Sequence, residues 1–526
     1  MSPYDRARDA FSYFKDEPRV AFMENAGGSQ VPGCVVEAVR EHLTSHCAQL
    51  GAGYGRSHRS SQIVRNAHEW LEVFMNVRGL GQVVVGSSTS QLALNLSCLF
   101  SEASFMGPGD NVVMQQASHE SIIGPWVRMA ARVPQPAGGD GSSSAGGGSG
   151  GGGGCQVRWW GADPASGGSC AKQLEGLLDG RTRLVVLTHV SNLLGDILDL
   201  PAVVQRVRRL APAAQVVVDG VAYAPHRAID VAGWDVDWYF YSPYKVYGPH
   251  LGVMYGKTSA YAALVAAGGD RDCGPNHYFI DKHQLTYKME LGGASHEGCA
   301  GLLALQDYLL YLLQQQPPPQ PTAAAQMAAA ASSTGSGPAP SPLLGGVRMS
   351  RAQVEAAFEL MASLEQPLTE RLVSYLAAQP SVRLVGSTDT RPGVRVPTVS
   401  FVHRRKSSVL LARDLQEAGF AVRCGHMYSR RLVEALADAG RGGLLAAEAA
   451  ERQADGEAAP NSSGSSGAPG GEGTAAGSGR DGVGGVGGGG FDVQRAVDEG
   501  VVRVSLLHYN TPDEVERLVE ALQRLL

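Results

Sequence analysis

Between Gln82 and Lys257 the chain repeats one pattern, a short run of Val, Leu or aromatic residues followed by a segment with helical spacing. QVVVG, NVVMQQ, TRLVVLTHV, VVVDG and WDVDWYFYS read as strands. SQLALNLSCLF, KQLEGLLDG (closed by Gly180) and LPAVVQRVRRLA read as helices. Strands this uniformly apolar leave no face for water, so they belong in a mostly parallel sheet covered by helices on both sides. The predicted fold class is α/β. In such sheets ligands sit beyond the carboxyl ends of the strands, and the residues placed there are the first candidates for chemistry.

Two strand ends carry opposite charges. VVVDGVAYAPH at 216–226 delivers Asp219, and YFYSPYKVYGPHLGVMYG at 239–256 delivers Lys245, flanked by Ser242 and Tyr244 and followed by Gly248. An acid that keeps a pyridine nitrogen protonated and a lysine that forms a Schiff base are what pyridoxal phosphate (PLP) chemistry asks of a protein. The plain alternative is that strands of α/β proteins often end in Asp and that a Lys near Gly marks a turn.

Other strand ends add to the first reading. Gly86-Ser87-Ser88-Thr89-Ser90 joins a strand to a helix, where backbone N–H groups, hydroxyls and the helix dipole favour an anion such as a phosphate; simple capping is the competing role. Ser242 and Tyr244 could supply further phosphate donors. His119 follows NVVMQQ, where its ring can stack on a pyridine while its nitrogens serve proton transfer, a catalytic role, or simply lie in a surface loop. Asn192, in HVSNLLG, could meet a phenolic oxygen or simply form a turn. Arg503 lies in a strand of the C-terminal region. It suits bidentate capture of a substrate carboxylate and equally a structural ion pair.

Pro134–Gly154, Gln314–Gly346 and roughly Gly442–Gly490 are dominated by Gly, Ser, Ala and Pro, a composition that reads as disordered insertion. Without them about 420 residues remain, a two-domain length. The expected organisation is an N-terminal segment, 1–24, packing with the small domain, and a large domain, 25–313, interrupted at 134–154. A linker, 314–346, then leads to a small α+β domain, 347–526, interrupted at 442–490. There VRLVG, TVSFVH, AVRCG and VVRVSLLHY read as strands, SVLLARDLQEAG and RRLVEALADAG as helices. Thr511-Pro512-Asp513-Glu514 opens the last helix with a capping box.

The net charge of -6 is modest and no basic block occurs, which argues against nucleic acid and anionic membranes as partners. No apolar run reaches the ~20 residues of a membrane span. The start MSPYDRARDAFSYFKDEPRV contains Asp and Glu and lacks a signal-peptide core, and the 8 cysteines form no C-x-x-C pair; a cytoplasmic protein with reduced thiols is expected. His42 and His46 have metal-ligand spacing without a nearby third ligand, so no metal site is expected.

FMENAGGSQVP (22–32), GRSHRSS (55–61), GSSTSQ, ASHESIIGPW, HVSNLLG, VVVDGVAYAPHRAIDV, SPYKVYGPHLG and VRVSLLHYNTPDEVERLVEAL (502–522) together resemble the class V aminotransferases. The resemblance is nearest to the SufS-type cysteine desulfurases and the desulfurase-like group beside them. It implies the PLP-dependent transferase fold (fold type I), with a mostly parallel seven-stranded sheet in the large domain, and a homodimer. Lys245 would carry the cofactor and Asp219 would pair with its ring nitrogen, while His119 stacks on the ring and Asn192 meets the phenolic oxygen. Ser88, Thr89, Ser242 and Tyr244 would hold the phosphate, and Arg503 the carboxylate of a small amino-acid substrate; His226 would lie beside the cofactor.

The chain departs from the desulfurase pattern at several positions. Tyr428, in AVRCGHMYSRR, stands where desulfurases carry the nucleophilic cysteine, and Cys424 lies four residues earlier. Ala222 replaces a Gln, and Gly292-Gly293 replaces a Gly-Thr, with Ser295 as a possible substitute hydroxyl. PLP chemistry on a small amino acid (transamination, epimerisation or elimination) is the expected activity. A desulfurase using an external thiol and a scaffold without catalysis are the alternatives.

Overall fold

The computed structural model describes residues 2–17, 19–134, 154–314, 342–438, 443–445 and 493–526. The three low-complexity segments lie almost wholly outside the described residues. Strand β1 (Ala21–Phe22) comes first, and the large sheet follows with β2 (Gly81–Gly86), β3 (Asn111–Gln115), β4 (Gln156–Trp160), β5 (Thr182–Thr188), β6 (Gln215–Asp219), β7 (Trp238–Tyr241) and β8 (Gly252–Lys257). These seven strands run in the order β2-β8-β7-β6-β5-β3-β4. Only β8 is antiparallel to its neighbours.

The Val runs are buried on both faces, as their composition requires. Val85, Val113, Val185, Val216, Val218, Tyr239 and Val253 point into one core. Val84, Val112, Met114, Val186, Val217, Phe240 and Met254 alternate with them into the other. Each such side chain contributes ~1.5–3 kcal/mol on burial, and a one-residue slip of any strand would exchange its two faces.

β4 and β8 were not anticipated. GVMYGK follows the Lys245 turn closely and becomes a strand by pairing back onto both β7 and β2.

The C-terminal part of the chain contains β9 (Val382–Val385), β10 (Thr398–His403), β11 (Phe420–Ala421), β12 (Arg423–Gly425) and β13 (Val501–Ser505). Its four-stranded antiparallel sheet has the order β12-β13-β10-β9. AVRCG, expected as one strand, divides at Val422: β11 pairs in parallel with β1, and β12 pairs with β13. A 27-residue helix, Arg351–Ala377, precedes this sheet. Thr511 caps the last helix, Pro512–Leu525, through the full capping box. Among the described residues, no helix is long and apolar enough to cross a membrane.

Candidate active site

β2, β3, β5, β6 and β7 run in the same direction, so the segments that leave them meet along one edge of the sheet. There a cavity of about 190 Å³ is lined by Ser88, Thr89, His119, Asn192, Asp219, Ser242, Tyr244 and Lys245. All the predicted cofactor residues therefore share one cavity. Ser90, Ser121, Ala222 and His250 complete much of the wall.

Asp219 ends β6 and is 5% exposed. Burial pushes its carboxyl up to about 6, although the Val221 N–H, 2.9 Å away, and Lys245 both favour its charged form. Lys245 closes the single 3₁₀ turn Pro243–Lys245 after β7, and its Nζ donates to the Ala26 carbonyl at 2.7 Å. Burial, with Arg503 adding to it, pushes its ammonium down to about 8; Asp219 and Glu24 partly oppose this. The turn is pinned by Ser29, whose Oγ donates to the Tyr244 carbonyl at 3.1 Å and accepts from the Tyr247 N–H at 2.8 Å.

The serine-rich turn does both things that its sequence allows. Ser88 caps the helix Thr89–Glu102, its Oγ accepting from the Gln91 N–H at 3.1 Å. Ser88, Thr89 and Ser90 at this helix start line the cavity, where the N–H groups of a first helical turn have no intrahelical partner. Thr89 Oγ1 donates to the Tyr241 carbonyl at 3.0 Å and lies 2.7 Å from Ser242 Oγ. The Tyr244 ring packs against His250, centroids 4.5 Å apart.

His119 caps the helix Glu120–Ala130, its Nδ1 accepting from the Ser121 N–H at 3.2 Å. Burial, reinforced by Lys245 and Arg503, pushes its imidazole down to about 4, so the ring is neutral at pH 7. With Nδ1 accepting, the proton resides on Nε2. Asn192 uses both ends of its amide: Nδ2 donates to the Met427 carbonyl at 2.9 Å, and Oδ1 accepts from Ser429 Oγ at 2.6 Å. Among the described residues the second Nδ2 hydrogen has no partner and is left for a ligand.

Beyond the cavity a wider cleft of about 620 Å³ is lined by Lys245, Arg503, Arg423, Arg128, Gly27 and Tyr428. Arg503 is 2% exposed and remains cationic, although burial pushes it down to about 10. Its Nη2 faces Glu24 Oε1 at 3.3 Å and its Nη1 the Asn192 carbonyl at 3.3 Å. The Tyr428 ring lies 5.3 Å from that of His119.

Some sequence candidates lie elsewhere. His226 is not among the residues that line the cavity; its Nδ1 is 2.9 Å from Glu365 Oε1, which forms part of a buried cluster with Arg227. Ser295 caps a helix and lines a separate cavity with Gly292 and Gly293. His42 and His46 lie on a π-helical turn, and among the described residues no group of three metal-ligating side chains forms. Cys424 is half-buried on β12. Glu24, Arg423 and His250 carried no signal of their own in the sequence; each enters the site by packing between distant segments.

The family model for class V aminotransferases matches residues 21–134 and 152–317. The aminotransferase-like protein FGM3 of Gibberella zeae is 30% identical over 516 residues, 97% of this chain and 96% of that protein. A cysteine desulfurase of Pectobacterium carotovorum is 28% identical over 268 residues, 50% of this chain and 60% of its own length. Among solved structures, the apo cysteine desulfurase from Thermococcus onnurineus superposes with a TM-score of 0.66 at 17% identity, covering 100% of this chain and 98% of that one, a likeness of fold. The chain thus belongs to the class V aminotransferase family, has the fold of its PLP-dependent members, and takes pyridoxal phosphate as its cofactor.

Proposed function

We propose that this chain is an enzyme that breaks a bond at the α-carbon of an amino acid, with Lys245 as covalent anchor and base. One observation carries the reading: a half-buried lysine with its ammonium shifted down and a buried carboxylate share a single cavity beyond the strand ends. The donor set fits the cofactor. Asp219 matches a ring nitrogen, the Ser88–Thr89 helix terminus with Ser242 matches a phosphate, and the His119 ring forms one wall. When bound, the pyridinium ring supplies the sink for the electron pair released at the α-carbon.

The residues then divide the work. Lys245, shifted towards neutrality by burial, is able to take a proton near neutral pH, where an ordinary lysine is fully charged. Asp219 holds a proton on the ring nitrogen by charge and hydrogen bonding. His119 donates through Nε2 and is already neutral, so it does not compete with Lys245 for the proton. Arg503 orients the substrate carboxylate.

The test is the visible spectrum of the purified protein before and after borohydride, followed by peptide mapping. An absorbing species that reduction locks onto Lys245, and that is missing in Lys245→Ala, is expected together with α-proton exchange on an amino acid. Cofactor bound reversibly with Lys245 unmodified would overturn the reading.

Desulfuration is not favoured. Tyr428, not a thiol, overhangs the cleft, and burial pushes the Cys424 thiol up on its strand. The homodimer belongs to this reading through family resemblance and the cytoplasmic location through the scattered, unpaired cysteine pattern; sedimentation tests the first.

A further inference from the structure

The cleft outside the cofactor cavity contains more guanidinium donors than one carboxylate can use. Arg423 and Arg503 are register partners on β12 and β13. A single oxygen, Glu24 Oε1, lies 3.3 Å from Arg423 Nη1 and 3.3 Å from Arg503 Nη2, longer than the ~2.7–2.9 Å of a tight charge-assisted bond. Gly27 makes room for that oxygen, since a Cβ there would stand 2.3 Å from it. Each guanidinium has five N–H donors. Among the described residues, only three donors of the pair have partners: these two and Arg503 Nη1 on the Asn192 carbonyl. Arg503 Nε is buried with none.

The surrounding charge follows the same sign. Glu120 is already engaged by Arg431, at 3.2 and 3.4 Å. Arg128 lines the cleft, is exposed, and has no ion-pair partner among the described residues. With Glu24 shared and Glu120 taken, the three arginines 128, 423 and 503 face one carboxylate. An α-carboxylate on Arg503 still leaves one positive charge unmatched in the cleft.

We propose that the substrate is an amino acid whose side chain ends in a second acidic group, read by Arg423 with Arg128 at the outer edge while Arg503 takes the α-carboxylate. This rests on the amino-acid reading above and narrows it to a substrate class. Arg423 has a side chain 52% exposed, so its replacement spares the core.

The experiment compares L-aspartate, L-glutamate and L-2-aminoadipate with L-asparagine and L-glutamine. Binding is followed by the change in cofactor absorption and by calorimetry on the cofactor-loaded protein. At least one acid is expected to bind tenfold or more tightly than the amides. Arg423→Gln should bring that preference to within twofold by loss of acid affinity, and Arg128→Gln should reduce it partway. Amides that bind as well as the acids, or a preference unchanged in both variants, would overturn the inference and leave the amino-acid reading standing. Silence from every amino acid would overturn both.

Discussion

Ser429 donates a 2.6 Å hydrogen bond to Asn192 and so ties the loop that carries Tyr428 to the end of β5. The loop needs such a tie. Met427 and Tyr428 have φ of 40° and 61°, two successive side-chain-bearing residues in the left-handed region, a conformation that costs ~1–3 kcal/mol per residue and persists only where neighbours impose it. The Glu120 N–H adds a 2.9 Å bond to the Tyr428 carbonyl. Asn192→Leu should therefore lower unfolding free energy by about 2 kcal/mol, through the buried partners it strands. It should also open the loop to proteolysis. Urea denaturation and limited proteolysis read the two effects; a loop that stays resistant would show that Asn192 is not its anchor.

Thiol reactivity separates Cys424 from a catalytic cysteine. Cys47 and Cys170 are exposed, whereas Cys424 packs beside the small-domain core and burial pushes its thiol up. Iodoacetamide should label the exposed pair at least tenfold faster, measured by peptide mass spectrometry over time. Feeding cysteine should leave no persulfide on Cys424; its appearance there would restore the desulfurase reading.

Gly252 lets β8 pass under the serine-rich turn. A Cβ at this position would stand 2.2 Å from the Ser88 carbonyl carbon and 2.3 Å from the Thr89 nitrogen, both backbone atoms that cannot swing aside. Gly252→Ala should displace the start of the helix and weaken cofactor binding by at least tenfold, with secondary structure retained by circular dichroism. Unchanged affinity in equilibrium dialysis would remove that turn from the phosphate site.

The Lys245 amine sets a pH dependence. Only the neutral amine attacks a carbonyl, and burial brings its pKa from 10.5 to about 8. Cofactor uptake by the cofactor-free protein should accelerate as pH rises and reach half its limiting rate near pH 8. A profile still climbing steeply at pH 10 would mean that the lysine keeps its solution value.

His508 shows the sign of a buried, neutral imidazole. It lies between Tyr308, 2.5 Å from Nε2, and Tyr247, 3.2 Å from Nδ1, and burial pushes it down to about 3 from 6.5. Below pH 6.5 the unfolded chain binds a proton that the folded chain refuses. The stability tied to this group is thus present above that pH and lost on acidification, by about 2 kcal/mol at pH 5. The loss of stability between pH 7.5 and 5 should be smaller by that amount in His508→Gln than in the parent chain. Equal losses in urea titrations would show that the folded protein accepts the proton.

What the sequence by itself determined is what each segment encodes locally. Val-rich runs such as VVVDG must be buried on both faces, so a buried strand ending at Asp219 follows from residues 216–219, and the alternation of such runs with helical segments over 82–257 gives the α/β class. The Thr511 capping box and the cap at Ser88 are equally local, because donor and acceptor are three residues apart. Tertiary structure alone decided the rest. AVRCG splits at Val422 because β1, some 400 residues away, captures Phe420 and Ala421 while β13 captures Arg423. Glu24 meets Arg423 and Arg503 through the same closure, and Asn192 is turned by it towards Met427 and Ser429. Periodicity records which face of a segment is buried, but not which distant segment will cover it. Charge partners across the cleft depend on that second choice, made only when distant segments pack.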